Sequence, residues 1–256
     1  MPEDPHGDEQ LVELYDEDNA AGDDHAYYRA LADRIEAETT ADQGDAVAGR
    51  ARGLTIVDLG CGTGLLTRAL AGPGRTVIGV DPSPTMLGYA RRQPGADSVI
   101  WIDGDAAALP GDGSADLVIS SGNAIMHVED LRATLTHLAA TLRPGGVISF
   151  ETRNPARRAW EHWTTEATEH ETPFGLLREW MQVTSVEHGR VTFDAYNVFE
   201  DGREKVFTTV LYFRTAAELV ADLAASGFEG IELRGGWHDE RLAEESRLIV
   251  VKARRR

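Results

Sequence analysis

The sequence predicts an α/β fold: a doubly wound sheet covered by helices on both faces, preceded by N-terminal helices and carrying a three-stranded antiparallel β insert. Three observations predict it. From residue 54 to 152, short apolar runs rich in β-branched residues alternate with segments of helical spacing, the pattern of parallel strands buried on both faces. Over 179–214 the period changes to two, with breaks at His188-Gly189 and Asp201-Gly202, and Asp-Gly between alternating runs is a strong hairpin signal. Before residue 39 the apolar spacing is helical, through Leu11, Leu14 and Tyr15, then Tyr27, Tyr28, Leu31 and Ile35.

In order along the chain, residues 9–19 and 24–38 read as helices, and the polar, glycine-bearing stretch 39–53 as a linker. Strands are expected at 54–60, 75–81, 98–105, 115–121 and 147–152, with helices at 63–71, 83–92 (opened by Ser83) and 130–146 (stopped by Pro144 and Gly145). A short helix fits 154–163, and the insert occupies 179–214. Helix returns at 215–228, and the runs 229–235 and 246–254 supply two late strands. This divides the chain into an N-terminal helical segment (1–50) that folds as a lid, a core (51–152 and 215–256) and a substrate-side insert (153–214).

Composition narrows the function. With 256 residues, 42% hydrophobic and 27% charged, the chain suits a globular protein with a real core. No run reaches the roughly 18 apolar residues of a membrane span, and the acidic start MPEDPHGDEQ lacks a secretion signal. A cytoplasmic protein without membrane partners is expected. One cysteine, Cys61, excludes a disulfide framework and a Cys-rich metal site. The 43 acidic and 25 basic residues give a net charge of −18, which argues against a nucleic-acid partner. Residues 1–50 hold 15 acids and three bases, a net of −12. That surplus belongs to the N-terminal helices; it is either a solvated surface or a field that steers a cationic acceptor.

The chemistry concentrates at the carboxyl ends of the early strands. Asp58-Leu-Gly60-Cys-Gly62-Thr-Gly64 follows the first strand, and glycines spaced by two let the backbone turn tightly and meet a ligand closely. Leu65 stands where a dinucleotide fingerprint has its third glycine, which opposes a nicotinamide oxidoreductase. Asp81 ends the second strand, placed to accept from both hydroxyls of a ribose; its alternative role, capping the next helix, could fall to Ser83. Asp105 after the third strand is either a turn former or an acceptor for an exocyclic amine, and beside the other two features it points to adenine.

Together VDLGCGTG, GVDPSPTML, GDAAALP, DLVISSGNAIMHV and LRPGG resemble, in order and register over about residues 54–150, the class I S-adenosylmethionine-dependent methyltransferases. The resemblance implies a Rossmann-like seven-stranded sheet whose last strand is antiparallel, with S-adenosylmethionine as cofactor and S-adenosylhomocysteine as product. It further implies that Gly60 and Gly62 face the methionine portion, with Cys61 between them in the cofactor-binding loop as a small buried side chain and Asp58 organising the loop or reaching the methionyl amine through water. Asp81 would hold the ribose, Pro82 and Met86 would pack near adenine, and Asp105 with Ala106 would read its edge. Ser120 and Ser121 would lie beside the sulfonium.

For catalysis, orientation of the acceptor supplies most of the acceleration, and a proton must leave at some stage. His127, seven residues past the fourth strand, is the candidate base; the alternative is a helix-surface or core histidine. Tyr15 is a candidate to cover the transfer site and touch the cofactor, and Tyr28 a candidate cofactor lid; each could equally be a core aromatic. Asn123, Arg153, Asn154, Trp160, Trp163 and Trp180, with Glu151 and Trp237, are candidates for the acceptor pocket, against the alternative of core or dimer contacts through the insert. Ser121-Gly122-Asn123 replaces the Pro-Pro-aromatic motif of amino-methylating DNA enzymes. The ends of strands four and five lack the acids of metal-dependent O-methyltransferases, and His162 and His170 have no supporting ligand pattern, so no metal is expected. The reading is methyl transfer to nitrogen or oxygen of a small molecule. The alternatives are a protein or RNA methyltransferase and a non-catalytic cofactor-binding regulatory module.

Overall fold

The computed structural model describes residues 4, 6–42 and 53–256. Two helices come first, α1 (Glu9–Asp18) and α2 (Asp23–Asp42). Asp8 caps α1 by accepting from the amides of Gln10 and Leu11. The core then alternates β1 (Leu54–Leu59), α3 (Leu65–Leu70), β2 (Arg75–Asp81), α4 (Pro84–Arg92), β3 (Val99–Asp103), β4 (Ala115–Ser120), α5 (Leu131–Thr141) and β5 (Leu142–Arg153). The insert holds β6 (Thr168–Thr172), β7 (Gly175–Glu187), β8 (Arg190–Phe199) and β9 (Glu204–Tyr212). The chain ends with α6 (Ala216–Ala225), β10 (Phe228–Arg234) and β11 (Leu248–Arg255).

The main sheet has the order β10-β11-β5-β4-β1-β2-β3. Its last strand, β11, runs antiparallel to both neighbours, while the β1–β2, β1–β4, β2–β3 and β4–β5 pairs are parallel. The strand order reverses beside β1, so the carboxyl ends of β1 and β4 flank the crevice where an open α/β sheet binds ligands. One face is filled by α5 and α6 through Leu135, Leu138, Leu219 and Leu223. The other is filled by α2 and α3 through Tyr28, Leu31, Ile35, Leu66 and Leu70.

Four features differ from the sequence expectation. The 130–146 helix ends at Thr141, and 142–146 open β5. The reason is a tertiary override: Leu142 pairs with Ala115, Val147 pairs with Leu117, and the Pro144-Gly145-Gly146 stretch is taken up in the register shift between them. Arg143 there binds the fully buried Asp116. The 154–163 helix is two 3-10 turns, Pro155–Arg157 and Ala159–His162, broken where Arg158 adopts φ +45°. Residues 39–42 of the expected linker continue α2, and 43–52 lie outside the described residues. The insert has four strands, β6-β7-β8-β9, rather than three. The added strand, TEHET, is exposed over most of its length and so carries no alternating apolar signal. Both expected turns occur, with His188 at φ +49°, Gly189 at +82° and Gly202 at +82°.

The first fifth of the chain divides in two. Helix α2 packs into the core, whereas α1 crosses from the glycine loop to the insert. At one end the Thr63 hydroxyl donates to Asp16; at the other, Leu11 and Leu14 pack with Leu177, Phe199 and Phe174 of the insert. Arg203 of the β8–β9 turn also binds Asp8 at 2.7 Å. The crevice is thus bounded by the sheet, α1 and the insert.

Candidate active site

Three glycines shape the loop after β1, and packing requires two of them. Gly60, Gly62 and Gly64 have φ of +74°, +53° and +73°, a region that favours glycine. A Cβ on Gly60 would stand 2.5 Å from the Ala124 methyl, and one on Gly64 would stand 2.3 Å from the Trp101 ring. A Cβ on Gly62 would meet nothing within 4 Å. Gly60 and Gly64 are therefore required by packing, and Gly62 opens on the crevice. Trp101 also presses on Gly79, where an added Cβ would stand 2.8 Å away.

Asp81, at the end of β2, ties this loop to the next turn. Its Oδ2 accepts from the Gly62 amide at 2.8 Å and its Oδ1 from the Ser83 amide at 2.9 Å. Ser83 itself caps α4, accepting from the Met86 amide at 3.1 Å. Capping thus falls to Ser83, and the Asp81 oxygens keep spare lone pairs toward the crevice. Burial raises the Asp81 pKa against the two amides and the charge of His6.

Asp58 lies deeper, 1% exposed. Its Oδ2 accepts from the Thr67 hydroxyl at 2.7 Å, and its Oδ1 has no partner. Burial pushes its pKa up to about 7, with Thr67 opposing and Asp81 adding to the rise. Ser120 Oγ, at the end of β4, and Asn123 Oδ1, just beyond it, are likewise buried without partners. Buried polar atoms are normally satisfied, so three orphans at the carboxyl ends of β1 and β4 mark the place of a polar ligand. A methionyl ammonium fits Asp58 Oδ1 in charge and donor number.

Past the ends of β2 and β3, Met86 and Ala106 are buried while Pro82 and Asp105 are exposed. Asp105 Oδ1 accepts from the Ala107 amide at 2.9 Å, so the residue forms its turn with one oxygen and keeps the other. The Cys61 thiol is buried, and desolvation holds its pKa well above the usual range, leaving an inert side chain.

Tyr15 and His127 both lie near His6. Tyr15 is half-buried, edge-on to His6 with ring centroids 5.9 Å apart. Its hydroxyl pKa is raised by burial and then by the Asp81 and Asp16 charges. His127 ends a 3-10 turn, Ala124–His127, entered through Asn123 at φ +59°. Its ring reaches solvent, yet the chain packed around it disfavours the cation and the His6 charge adds to this, so its pKa is lowered. Arg214 clasps the turn from the insert side, donating to Val128 O and to Glu129 O, the latter at 2.9 Å.

Several candidates prove structural. Tyr28 is fully buried, and its hydroxyl donates to Glu151 and to Ser120 O at 3.4 Å. It supports the end of β4 from within the core, which is the core-aromatic alternative. Glu151 also accepts from the Asn123 amide at 2.7 Å, and its pKa is pushed up to about 7, chiefly by burial. The Asn154 amide group donates to the carbonyls of Ala243, Glu244 and Ser246 at 3.0–3.3 Å, so it anchors the loop before β11 instead of meeting an acceptor. Trp237 packs on Tyr27 and Tyr28 in the α2 core. Trp180 stacks on Tyr196 at 4.7 Å on the insert. Its strand position alternates with Val183, whose partner Phe193 meets Trp163, so Trp180 lies on the opposite face. Trp160 and Trp163 pack on Phe213, with the Arg153 guanidinium over the Trp163 ring.

Sequence reasoning missed Asp4, His6 and Asp16. Asp4 accepts from the Ser83 and Thr85 hydroxyls at 2.9 and 3.0 Å, which brings Asp4 against the turn that follows Asp81. No period or motif marks the segment before α1; its one signal is a histidine among acids.

Residues 56–146 match a family model described as a methyltransferase domain. Malonyl-[acyl-carrier protein] O-methyltransferase of Pectobacterium atrosepticum is 40% identical over 100 residues, 39% of each chain. The aligned stretch thus spans about two fifths of that curated relative. Among solved structures, the CcbJ methyltransferase of Streptomyces caelestis superposes with a TM-score of 0.69 at 23% identity, over 96% of both chains. An amino pentose methyltransferase from Micromonospora echinaspora, solved with S-adenosylmethionine bound, gives 0.65 at 24% identity over 96% of this chain and 97% of its own. These likenesses establish the fold, including the insert. No described helix is long and apolar enough to cross a membrane.

Proposed function

We propose that this chain transfers a methyl group from S-adenosylmethionine to a nitrogen or oxygen of a small molecule. The observation that carries this reading is the set of three buried, unpartnered polar atoms, Asp58 Oδ1, Ser120 Oγ and Asn123 Oδ1, at the carboxyl ends of β1 and β4. Asp58 and Asn123 would hold the methionyl end, Asp81 the ribose, and Met86 with Ala106 the adenine. When bound, the cofactor supplies an electrophilic methyl on a sulfonium.

The chain's residues have three tasks. The glycine loop and Asp81 fix the donor, so that most of the acceleration comes from orientation. Helix α1 and the insert exclude water from the crevice. His127 takes the proton: its lowered pKa leaves the ring neutral at pH 7, the state able to accept. Tyr15 closes the opening opposite it. The bounded crevice suits a small acceptor better than a folded macromolecule. The structural likeness to an amino pentose methyltransferase supports that choice.

Calorimetric titration tests the cofactor: saturable binding of S-adenosylhomocysteine, with no binding of NAD, is expected, and the reverse result refutes the reading. With a methyl acceptor in hand, His127→Ala should lower kcat and remove the lower limb of its pH profile. An unchanged profile removes the base assignment.

A further inference from the structure

Arg153 stands apart from the other described arginines. Among the described residues, each arginine that lacks both an ionic and a hydrogen-bonding side-chain partner is exposed, except Arg153, which is half-buried. Its guanidinium lies 5.4 Å from the centre of the Trp163 ring, and its backbone amide meets Met126 Sδ at 3.4 Å, next to His127 in sequence. It closes β5 on the rim where the insert begins.

A second cation stands beside it. Arg153 pairs with Leu248 in the β5–β11 ladder, and the Asn154 amide donates to Arg247 O at 3.0 Å. Arg247 too has no ionic partner among the described residues. Burial, and then the Arg247 charge, lower the Arg153 pKa. The chain has 43 carboxylates against 25 lysines and arginines, yet no described carboxylate binds either arginine. Leaving a cation partly desolvated and unpaired is costly, and a planar guanidinium held over an aromatic ring is preorganised to grip a carboxylate or phosphate with two parallel bonds.

We infer that Arg153, seconded by Arg247, binds an oxyanion of the acceptor, so that the molecule methylated near His127 carries a carboxylate or a phosphate. This rests on the methyltransferase reading above and sharpens it: the surplus of acids on the N-terminal helices does not set the sign of the substrate. The Trp160, Trp163 and Phe213 cluster supplies an apolar wall beside the charge.

The test uses the protein saturated with S-adenosylhomocysteine, titrated at constant ionic strength with inorganic phosphate and, separately, with glutarate. Tryptophan fluorescence reports through Trp163 and calorimetry confirms. One of the two anions should bind saturably, and which one binds tells phosphate from carboxylate. Arg153→Gln should weaken that binding about tenfold, the size expected for a charged hydrogen-bonded contact. Arg247→Gln should weaken it less, and Arg153→Lys should fall between wild type and Arg153→Gln. S-adenosylhomocysteine affinity should be unchanged in all three, which also certifies that they fold. Binding of neither anion, equal binding by Arg153→Gln, or loss of S-adenosylhomocysteine affinity in a folded Arg153→Gln overturns the inference. Failure of the wild-type protein to bind S-adenosylhomocysteine instead refutes the methyltransferase reading itself.

Discussion

Asp58 and Thr67 share a single hydrogen bond of 2.7 Å, and the other Asp58 oxygen is buried with nothing to accept from. Burial raises the Asp58 pKa from its ordinary 3.8 to about 7. Between those values the unfolded chain has released the proton and the folded chain has kept it. The stability Asp58 contributes is therefore present in acid and is lost as pH rises through about 7. Asp58→Asn should flatten the fall in Tm of the ligand-free protein across that window, with the gain largest above pH 7. A ligand ammonium would favour the ionised form, so S-adenosylhomocysteine binding should release a proton near pH 7, read by calorimetry in buffers of different ionisation enthalpy. Asp58→Asn should abolish that release and weaken binding. Proton release persisting in the variant would assign the linkage elsewhere.

Asp81 joins the glycine loop to the turn before α4 through two amides. Removing its carboxylate takes away both the proposed ribose acceptor and the tie on Gly62. Asp81→Ala should weaken S-adenosylhomocysteine at least about tenfold, since bonds to charged groups are worth about 1.5–3 kcal/mol each. Asp81→Asn, whose amide presents one acceptor oxygen, should lose less. Unchanged affinity in Asp81→Ala would exclude the ribose role.

What the sequence revealed and what it hid follow from how local each signal is. The alternation of β1 to β5 and the spacing Gly60-Gly62-Gly64 are written in consecutive residues, so the sheet and its crevice were readable. The spacing of Gly64 predicts a tight turn and close approach to a ligand, but not that it makes room for Trp101 of β3, 37 positions on. Tyr28 stays open between a lid and a core aromatic in the sequence, because an aromatic on an amphipathic helix says nothing of which face it meets; its Glu151 partner is 123 residues away. Asn154 was read as an acceptor contact, but its partners lie about 90 residues on, in a loop without a period. Long-range polar pairing carries no pattern along the chain, so these partners were not legible in it.

Tyr28 and Glu151 make a second measurable pair. The Glu151 pKa is pushed up to about 7, mostly by burial, with the Tyr28 hydroxyl and the Asn123 amide opposing. The pair is neutral at low pH and holds an ionised acceptor above pH 7, where the hydroxyl bond is stronger. Tyr28→Phe should cost about 1–3 kcal/mol, the penalty for an unsatisfied buried acceptor, and more at pH 8 than at pH 6. Denaturant melts at both values check this. A loss that does not depend on pH would place the cost in packing and not in the carboxylate.

Asp4 is the outermost tie across the crevice, accepting from the hydroxyls of Ser83 and Thr85. Burial alone would raise its pKa, but the His6 amide and the two hydroxyls outweigh it and the value is lowered. The bond is therefore fully formed at neutral pH and is lost only as pH falls through that lowered value. With the Thr63–Asp16 bond it ties α1 and the segment before it to the glycine loop and the start of α4, over the end of the crevice proposed for the nucleoside. Release of the product cofactor then requires that this segment lift. Asp4→Ala should speed dissociation of S-adenosylhomocysteine several-fold in stopped-flow displacement, with association faster as well, so that the equilibrium affinity changes less than either rate. Asp4 is the residue to change because Ser83 also caps α4, and losing that cap would alter the adenine wall. If both rates match wild type, the segment is a fixed edge of the pocket, and the cofactor leaves by another path between α1 and the insert.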